Sequence, residues 1–418
     1  MTVAGSPPES CVLPLPHPIV PMPAPLLPRD PEQTPVIVAC CRTAIGRSHA
    51  ERGLFRNVRG DELASAAVAA AVDRSGVDPA TIEDLLLGAT QQRGELGGNV
   101  ARVVALMADL PLSTAGVTIN RLCGSGIEAI LQASHAIIAG TADVQVVAGV
   151  EHMHHVPMDE GVDFHPRAVA RSSRGMLSMG LTAEHLAAMR GIDRSRQEDW
   201  ALQSHARAVR AIDAGGFHAE IVPVLGHDEA GALVEAKVDQ SVRRDTGREA
   251  MARLEPAFLP KLGTVTAATS APLSDGAAAL VMMSLAEARR QGIAPLARVV
   301  AGAVVGVPPA VMGTGPVAAT NKLLRRLSID LGAIDLVEIN EAFAAQTIWC
   351  VDELGLDPAR VNVRGGALAI GHPLGASGVR IVTTLVHAMQ ARGDRLGLAT
   401  MCIGLGQGIA LVLERIGT

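Results

Sequence analysis

Short apolar runs alternate with longer stretches rich in alanine and valine along the first third of the chain. Val36-Ile37-Val38-Ala39-Cys40-Cys41, Leu85-Leu86-Leu87-Gly88 and residues 116–119 and 144–150 are short and apolar enough to be buried strands. Residues 63–72, 97–108 and 127–139 read as helices. Asp61 is placed to cap the first of these, and Asp78-Pro79-Ala80-Thr81-Ile82-Glu83 predicts a further helix with proline in its first turn. Strands apolar on both faces and alternating with helices predict an α/β fold with a mostly parallel sheet covered by helices.

The texture changes at Glu151. From there to about Ser274 the chain holds His152, His154, His155, His165, Arg167, Arg171 and Arg174 but few strand-like runs. This predicts a polar connecting region, with one helix over 193–215 stopped by Gly215-Gly216. The histidines lack the helical spacing of a metal site, so no metal is expected. From Asp275 the α/β pattern returns, with strands predicted after Gly276 and over 299–305, 396–401 and 409–413. Leu336-Val337-Glu338-Ile339-Asn340-Glu341-Ala342-Phe343 is a strand whose end turns polar and enters a helix.

Composition narrows the class. A chain of 418 residues exceeds one typical core, so two or three domains are expected. Hydrophobic residues make up 48%, enough for burial, yet aromatics are only 2% and tyrosine is absent, which leaves no base-stacking surface. The net charge of −6 gives no footprint for nucleic acid. The six cysteines, at 11, 40, 41, 123, 350 and 402, contain no CxxC pair and read as free thiols of a cytoplasmic protein. No apolar run reaches the roughly 18 residues of a membrane span. Residues 1–34 are crowded with proline and are expected to be a disordered tail rather than a signal peptide.

Candidate chemistry centres on Ile119-Asn120-Arg121-Leu122-Cys123-Gly124-Ser125-Gly126, a strand-to-helix turn that displays a cysteine. A thiol at a helix N-terminus is expected to ionise more readily, and the thiolate is the reactive form. The turn is repeated. Cys123-Gly124-Ser125-Gly126-Ile127 and the later His135-Ala136-Ile137 match Gly375-Ala376-Ser377-Gly378-Val379 and His387-Ala388-Met389 in the same register. Two copies of one α/β unit follow, with glycine in the second where the first has its thiol. The second copy instead offers His372, in Gly365-Gly366-Ala367-Leu368-Ala369-Ile370-Gly371-His372-Pro373-Leu374-Gly375, and Cys402 beside Gly404, Gly406 and Gly408.

These residues suit one reaction centre. A cysteine nucleophile needs a base, and neutral imidazole can take its proton. A second cysteine can serve as acid or base toward carbon or sulfur. Backbone N–H groups at Cys123 and Gly404 suit an oxyanion, and Asn340 suits a bound water. Spacing alone does not bring the four together.

The chain from about residue 35 resembles the thiolases. Asn120-Arg121-Leu122-Cys123-Gly124-Ser125-Gly126 is similar to their acylated-cysteine signature. Asn340-Glu341-Ala342-Phe343, Gly371-His372-Pro373-Leu374-Gly375 and Cys402-Ile403-Gly404-Leu405-Gly406-Gln407-Gly408 are similar to their other three catalytic loops. The resemblance implies duplicated βαβαβαββ halves in a five-layered αβαβα arrangement with an inserted loop domain. The halves would be 35–153, completed by 275–295, and 296–418. Residues 154–274 would form the coenzyme A-binding insert.

It further implies thiolysis of 3-ketoacyl-CoA to acetyl-CoA and a shortened acyl-CoA, with no cofactor beyond coenzyme A as substrate. Cys123 would be the nucleophile, His372 its base, Cys402 the acid and base at carbon. Cys123 and Gly404 N–H groups would form one oxyanion hole, and His372 with an Asn340-held water the other. Arg243, Ser270 and Ala271 would lie near coenzyme A, although Ala271 lacks the hydroxyl usual there. Ala44 replaces a usual proline.

Gly149-Val150-Glu151-His152-Met153 and Gly161-Val162-Asp163-Phe164-His165-Pro166 are most similar to the β-subunit of the bacterial fatty-acid oxidation complex. That implies a homodimer or dimer of dimers, with a hydratase/dehydrogenase α-subunit as candidate partner. Two alternatives stay open: an acetoacetyl-CoA thiolase working in the condensing direction, and a non-catalytic acyl carrier.

Overall fold

The computed structural model describes residues 30–416, residue 173 excepted. The proline-rich stretch expected as a tail therefore lies outside the described residues up to 29; the segment Pro31–Gln33 forms a single 3-10 turn capped by Asp30.

The principal strands form one continuous mixed sheet in the order Leu336–Ile339, Leu396–Ile403, Gln407–Arg415, Ala297–Gly306, Pro35–Thr43, Ser274–Ser284, Val144–His152, Asp84–Gly88, Ala115–Ile119. The two middle strands pair only at Val36 with Arg298 and Ile37 with Ala297, then diverge. The sheet is thus two sheets joined at a short seam. Each half repeats one pattern of directions. Pro35–Thr43 and Ser274–Ser284 are antiparallel, as are Ala297–Gly306 and Gln407–Arg415. Val144–His152 is parallel to Asp84–Gly88, as Leu396–Ile403 is to Leu336–Ile339. An isolated parallel bridge from Val337 to Val361 stands where Ala115–Ile119 stands in the first half. The sequence repeat is a structural one.

The expectation of a mostly parallel sheet is corrected. Parallel pairs lie among the outer strands of each half, while the central strands pair antiparallel; the hairpin Leu396–Ile403 to Gln407–Arg415 does so because a short turn must reverse the chain. Two helical readings also change. Asp61 lies inside helix Gly60–Ser75 and pairs with Arg59, which holds the N-cap position. Pro79–Thr81 is one 3-10 turn, capped by Asp78.

Side chains alternate between layers. Val36 and Val38 face an outer core with helices Gly60–Ser75 and Val100–Met107, while Ile37 and Cys40 face a central one. Ala277, Ala279 and Val281 point outward, Ala278, Leu280 and Met282 inward. The central core is filled by helices Ser125–Ala139 and Leu374–Arg392, and a third core lies under helices Gly315–Leu327 and Ala344–Leu354. This is the αβαβα sandwich, stabilised by about 1.5–3 kcal/mol for each fully buried large aliphatic side chain. Among the described residues, Leu122–Ala139 alone is long and apolar enough for a membrane span, and its helix is this central packing element.

The segment between the halves carries helices Met179–Arg190 and Arg194–Asp213 and the hairpin Val224–His227 with Leu233–Ala236. Asp193 caps the longer helix through Arg196 N–H at 2.8 Å, close to the predicted bounds. Buried Arg42 anchors this segment to the first strand through Glu220 at 2.6 Å and Asp239 at 2.7 Å.

Candidate active site

The thiol turn is built under tension. Leu122, just before Cys123, has φ of 47°, a left-handed conformation that costs a branched residue about 1–3 kcal/mol. Its surroundings impose it. Asn120 Oδ1 accepts from Leu122 N–H at 2.8 Å, and Ser125 Oγ accepts from Arg121 N–H at 2.9 Å while donating to Leu122 O at 2.6 Å. Cys123 is held, half-buried, at the head of helix Ser125–Ala139.

Cys402 arrives from the other half, near the end of strand Leu396–Ile403. Gly124 makes room for this strand, since a Cβ there would stand 2.5 Å from Ile403 Cδ1. Gly404 N–H and the N–H of Cys123 itself both lie against the Cys123 sulfur. Burial outweighs their pull, and the thiol is pushed up to about 11. The expectation of a readily ionised thiol is thereby corrected: Cys123 rests protonated. Cys402 sits among Ala183, Val265, Met312 and Phe343, and burial, then the neighbouring Cys123 sulfur, raise its thiol well above the ordinary value.

His372 precedes helix Leu374–Arg392 and is buried. Desolvation, then the buried Arg380 guanidinium, lower it to about 3, so the ring is neutral. Its Nε2 meets Asn340 Nδ2 at 3.2 Å and its Nδ1 meets Ser377 Oγ at 2.6 Å. Asn340 Oδ1 has no protein partner among the described residues. A neutral imidazole keeps a lone pair that can take a proton from a thiol, so His372 is in the form a base needs.

A cavity of about 230 Å³ is lined among others by Arg47, His205, Arg243, Ser270 and Leu368. Burial, then the positive charges of Arg243 and Arg52, lower Arg47, which marks a crowded cationic wall suited to phosphates. Arg243 and Ser270, expected near coenzyme A, both line this cavity. Ala271 does not line the cavity; its N–H donates to Ala342 O at 3.0 Å and splints the Asn340 loop.

Residues 35–286 match the family model for the thiolase N-terminal domain and residues 293–415 that for the thiolase C-terminal domain. The chain belongs to the thiolase family. It is 50% identical to a 3-ketoacyl-CoA thiolase of Shewanella loihica over 384 residues, covering 91% of this chain and 99% of the relative. It is also 50% identical to one of Aeromonas salmonicida over 388 residues, with the same coverage. Among solved structures, human mitochondrial 3-ketoacyl-CoA thiolase superposes with a TM-score of 0.85 at 34% identity, covering 93% of this chain and 100% of that one. Bacillus anthracis acetyl-CoA acetyltransferase does so with 0.84 at 38%, covering 92% and 99%. Thiolases are acyltransferases, and the thiolase fold expected from the motifs is the one found.

Three features of this thiolase escaped sequence reasoning. Glu341 accepts from Trp200 Nε1, Ser204 Oγ and Asn362 Nδ2 at 2.7–3.0 Å, locking the Asn340 loop to the insert. Glu151 accepts from Thr90 N–H at 3.1 Å and Gly375 N–H at 2.9 Å, tying the two halves behind the thiol turn. Arg47 left no local signal. Of the clustered histidines, His152 departs from the polar loop expected: it ends a buried strand and stacks on His155, which lies in the following turn, at 3.8 Å. Glu95, His152 and His155 have metal-like proximity, but each ring nitrogen already meets a protein partner, among them Phe55 O, His155 N–H and Arg56 O.

Proposed function

We infer that this thiolase degrades 3-ketoacyl-CoA, with coenzyme A as second substrate and no other cofactor. The reading is supported by two sulfurs brought together from opposite halves, Cys123 and Cys402, and by a neutral imidazole, His372, hydrogen-bonded to Asn340. Cys123 attacks the 3-keto carbonyl as His372 Nε2 takes its proton. The C2–C3 bond then breaks, leaving an enolate whose charge falls on the thioester oxygen. His372, now a donor at Nε2, and a water on Asn340 stabilise it, and Cys402 protonates the carbon to release acetyl-CoA. Incoming CoA gives its thiol proton to the Cys402 thiolate and attacks the acyl-Cys123 carbonyl, whose oxygen lies in the N–H groups of Cys123 and Gly404. His372 returns its proton to the departing Cys123 sulfur. Protons balance over the cycle, and no resting thiolate is required.

The Arg47 and Arg243 wall suits the phosphates of coenzyme A, and the segment 154–274 supplies most of that cavity. Strand Ala115–Ile119 is a sheet edge flanked by exposed Val117, Leu106, Met107 and Leu112, the last 80% exposed. A second copy of the chain pairing along this edge accounts for the apolar surface. The free thiols at 40, 41, 123, 350 and 402 suit a cytoplasmic location. A hydratase/dehydrogenase α-subunit remains the candidate partner.

Intact mass after exposure to 3-ketoacyl-CoA tests the reading: an acyl adduct lost in Cys123→Ala is expected, and its absence in the intact enzyme favours the carrier. Thiolysis across short, medium and long substrates separates the degradative enzyme from an acetoacetyl-CoA thiolase, whose activity would stop at four carbons.

A further inference from the structure

The duplicated turns share one serine that bonds back onto its own turn. In the first half Ser125 Oγ donates to Leu122 O at 2.6 Å and accepts from Arg121 N–H at 2.9 Å. In the second half Ser377 Oγ lies 2.8 Å from Pro373 O, one helical turn back, and 2.6 Å from His372 Nδ1. The repeat position thus holds the nucleophile's turn in one half and the base's ring in the other.

A hydroxyl has one proton. Pro373 O can only accept; with Ser377 donating to it, as a serine back-bonding to its helix does, the hydroxyl oxygen is left to accept from His372. The proton of the neutral ring therefore lies on Nδ1. Nε2 keeps its lone pair, and Asn340 Nδ2 is oriented to donate to it at 3.2 Å. Ser377 is fully buried, so water does not compete for the contact. Ser274 Oγ accepts from the His372 backbone N–H at 3.1 Å, holding the residue from its other side.

We propose that Ser377 is the positioning residue that fixes His372 in the Nδ1–H tautomer, so that Nε2 is the base presented to Cys123. This rests on the role of His372 given above. With the wrong tautomer the ring would carry a proton at the atom that must receive one, as in other histidine bases deprived of their orienting partner. Ser125 is an internal control, since it occupies the same repeat position but binds backbone only.

The test is nitrogen-15 NMR of histidine-labelled enzyme near pH 7, with the His372 signals identified by their loss in His372→Asn. A protonated Nδ1 and an unprotonated Nε2 are expected in the unmodified enzyme. Ser377→Ala should shift the ring toward the Nε2–H form and lower kcat roughly 100-fold with KM for CoA within about twofold. Ser377→Thr should restore both, and Ser125→Ala should leave the His372 tautomer as it was. An Nε2–H ring in the unmodified enzyme, or an unchanged tautomer in Ser377→Ala, overturns the proposal. If Ser377→Ala does not fold, the spectrum of the unmodified enzyme decides alone. Full turnover in His372→Asn would instead overturn the role of His372 itself.

Discussion

Gly126 and Gly378 meet backbone to backbone where the two central helices cross. A Cβ on Gly126 would stand 2.6 Å from Val379 N, and one on Gly378 would run into Ile127 N. The glycines of the sequence repeat are thus the contact that lets the helices following the thiol turn and the histidine turn cross closely. No flexible side chain can yield there, because the obstacles are backbone atoms.

Gly378→Ala is expected to lower stability by about 1–3 kcal/mol or more and to reduce turnover at least tenfold by parting the two turns. Denaturant midpoints and thiolysis rates measure both. A variant with unchanged midpoint and rate would show that the crossing has slack.

Cys402→Ser should still allow acylation of Cys123 from an acyl-CoA while slowing the carbon–carbon step. Serine fits the apolar nest of Ala183, Val265 and Phe343 but is a far weaker acid than a thiol. Intact mass after acetyl-CoA, paired with steady-state thiolysis, separates the two steps. Equal loss of both would assign Cys402 to acylation instead.

Arg47→Ala and Arg243→Ala should each raise KM for CoA roughly tenfold with little change in kcat, because each removes a charge-assisted contact made alike in ground and transition states. The effect should shrink with dephospho-CoA if the lost contact is to the 3′-phosphate. A fall in kcat alone would place these arginines elsewhere in the cycle.

Acid should loosen the fold through its buried histidines. His152 and His205 are lowered to about 4 and His372 to about 3, each chiefly by burial. A histidine lowered in the fold contributes stability above its ordinary value near 6.5, and the contribution is lost as pH falls toward the folded value. Asp275, raised to about 6, and Glu338, raised to about 8, act with the opposite sign and favour the fold at low pH. With three histidines the net expectation is a melting temperature that drops between pH 6.5 and 4. In His205→Gln the slope should be shallower, by up to 2–3 kcal/mol over that window, on the order set by one depressed group. Parallel pH profiles for the two proteins would remove His205 from the account.

Charge on the exposed sheet edge should disrupt self-association. Val117→Arg with Leu112→Asp is expected to shift the sedimentation coefficient toward the monomer. A monomer before mutation, or an unchanged oligomer after it, would mean the edge is covered otherwise.

Much of this was readable before any coordinates. Residues 36–41, 85–88 and 144–150 declared themselves as strands because each is apolar on both faces, and the duplicated Gly-Ser-Gly turns announced two copies of one unit. Where expectation and structure part, a near neighbour or a tight turn intervened. Asp61 lost the cap position because Arg59 folds back onto it, and the sheet ran antiparallel where a hairpin replaced a helical crossover.

Residue types, their order and the four family motifs are properties of the polymer, so the sequence by itself determined the fold class and named Cys123, Asn340, His372 and Cys402. The protonation state of that group was decided only by the tertiary structure. Burial beats the backbone N–H groups at the Cys123 sulfur and keeps the His372 ring neutral, and Ser377 selects which of its nitrogens is bare. Desolvation and hydrogen-bond direction depend on what surrounds an atom in space, and neighbours along the chain do not supply that.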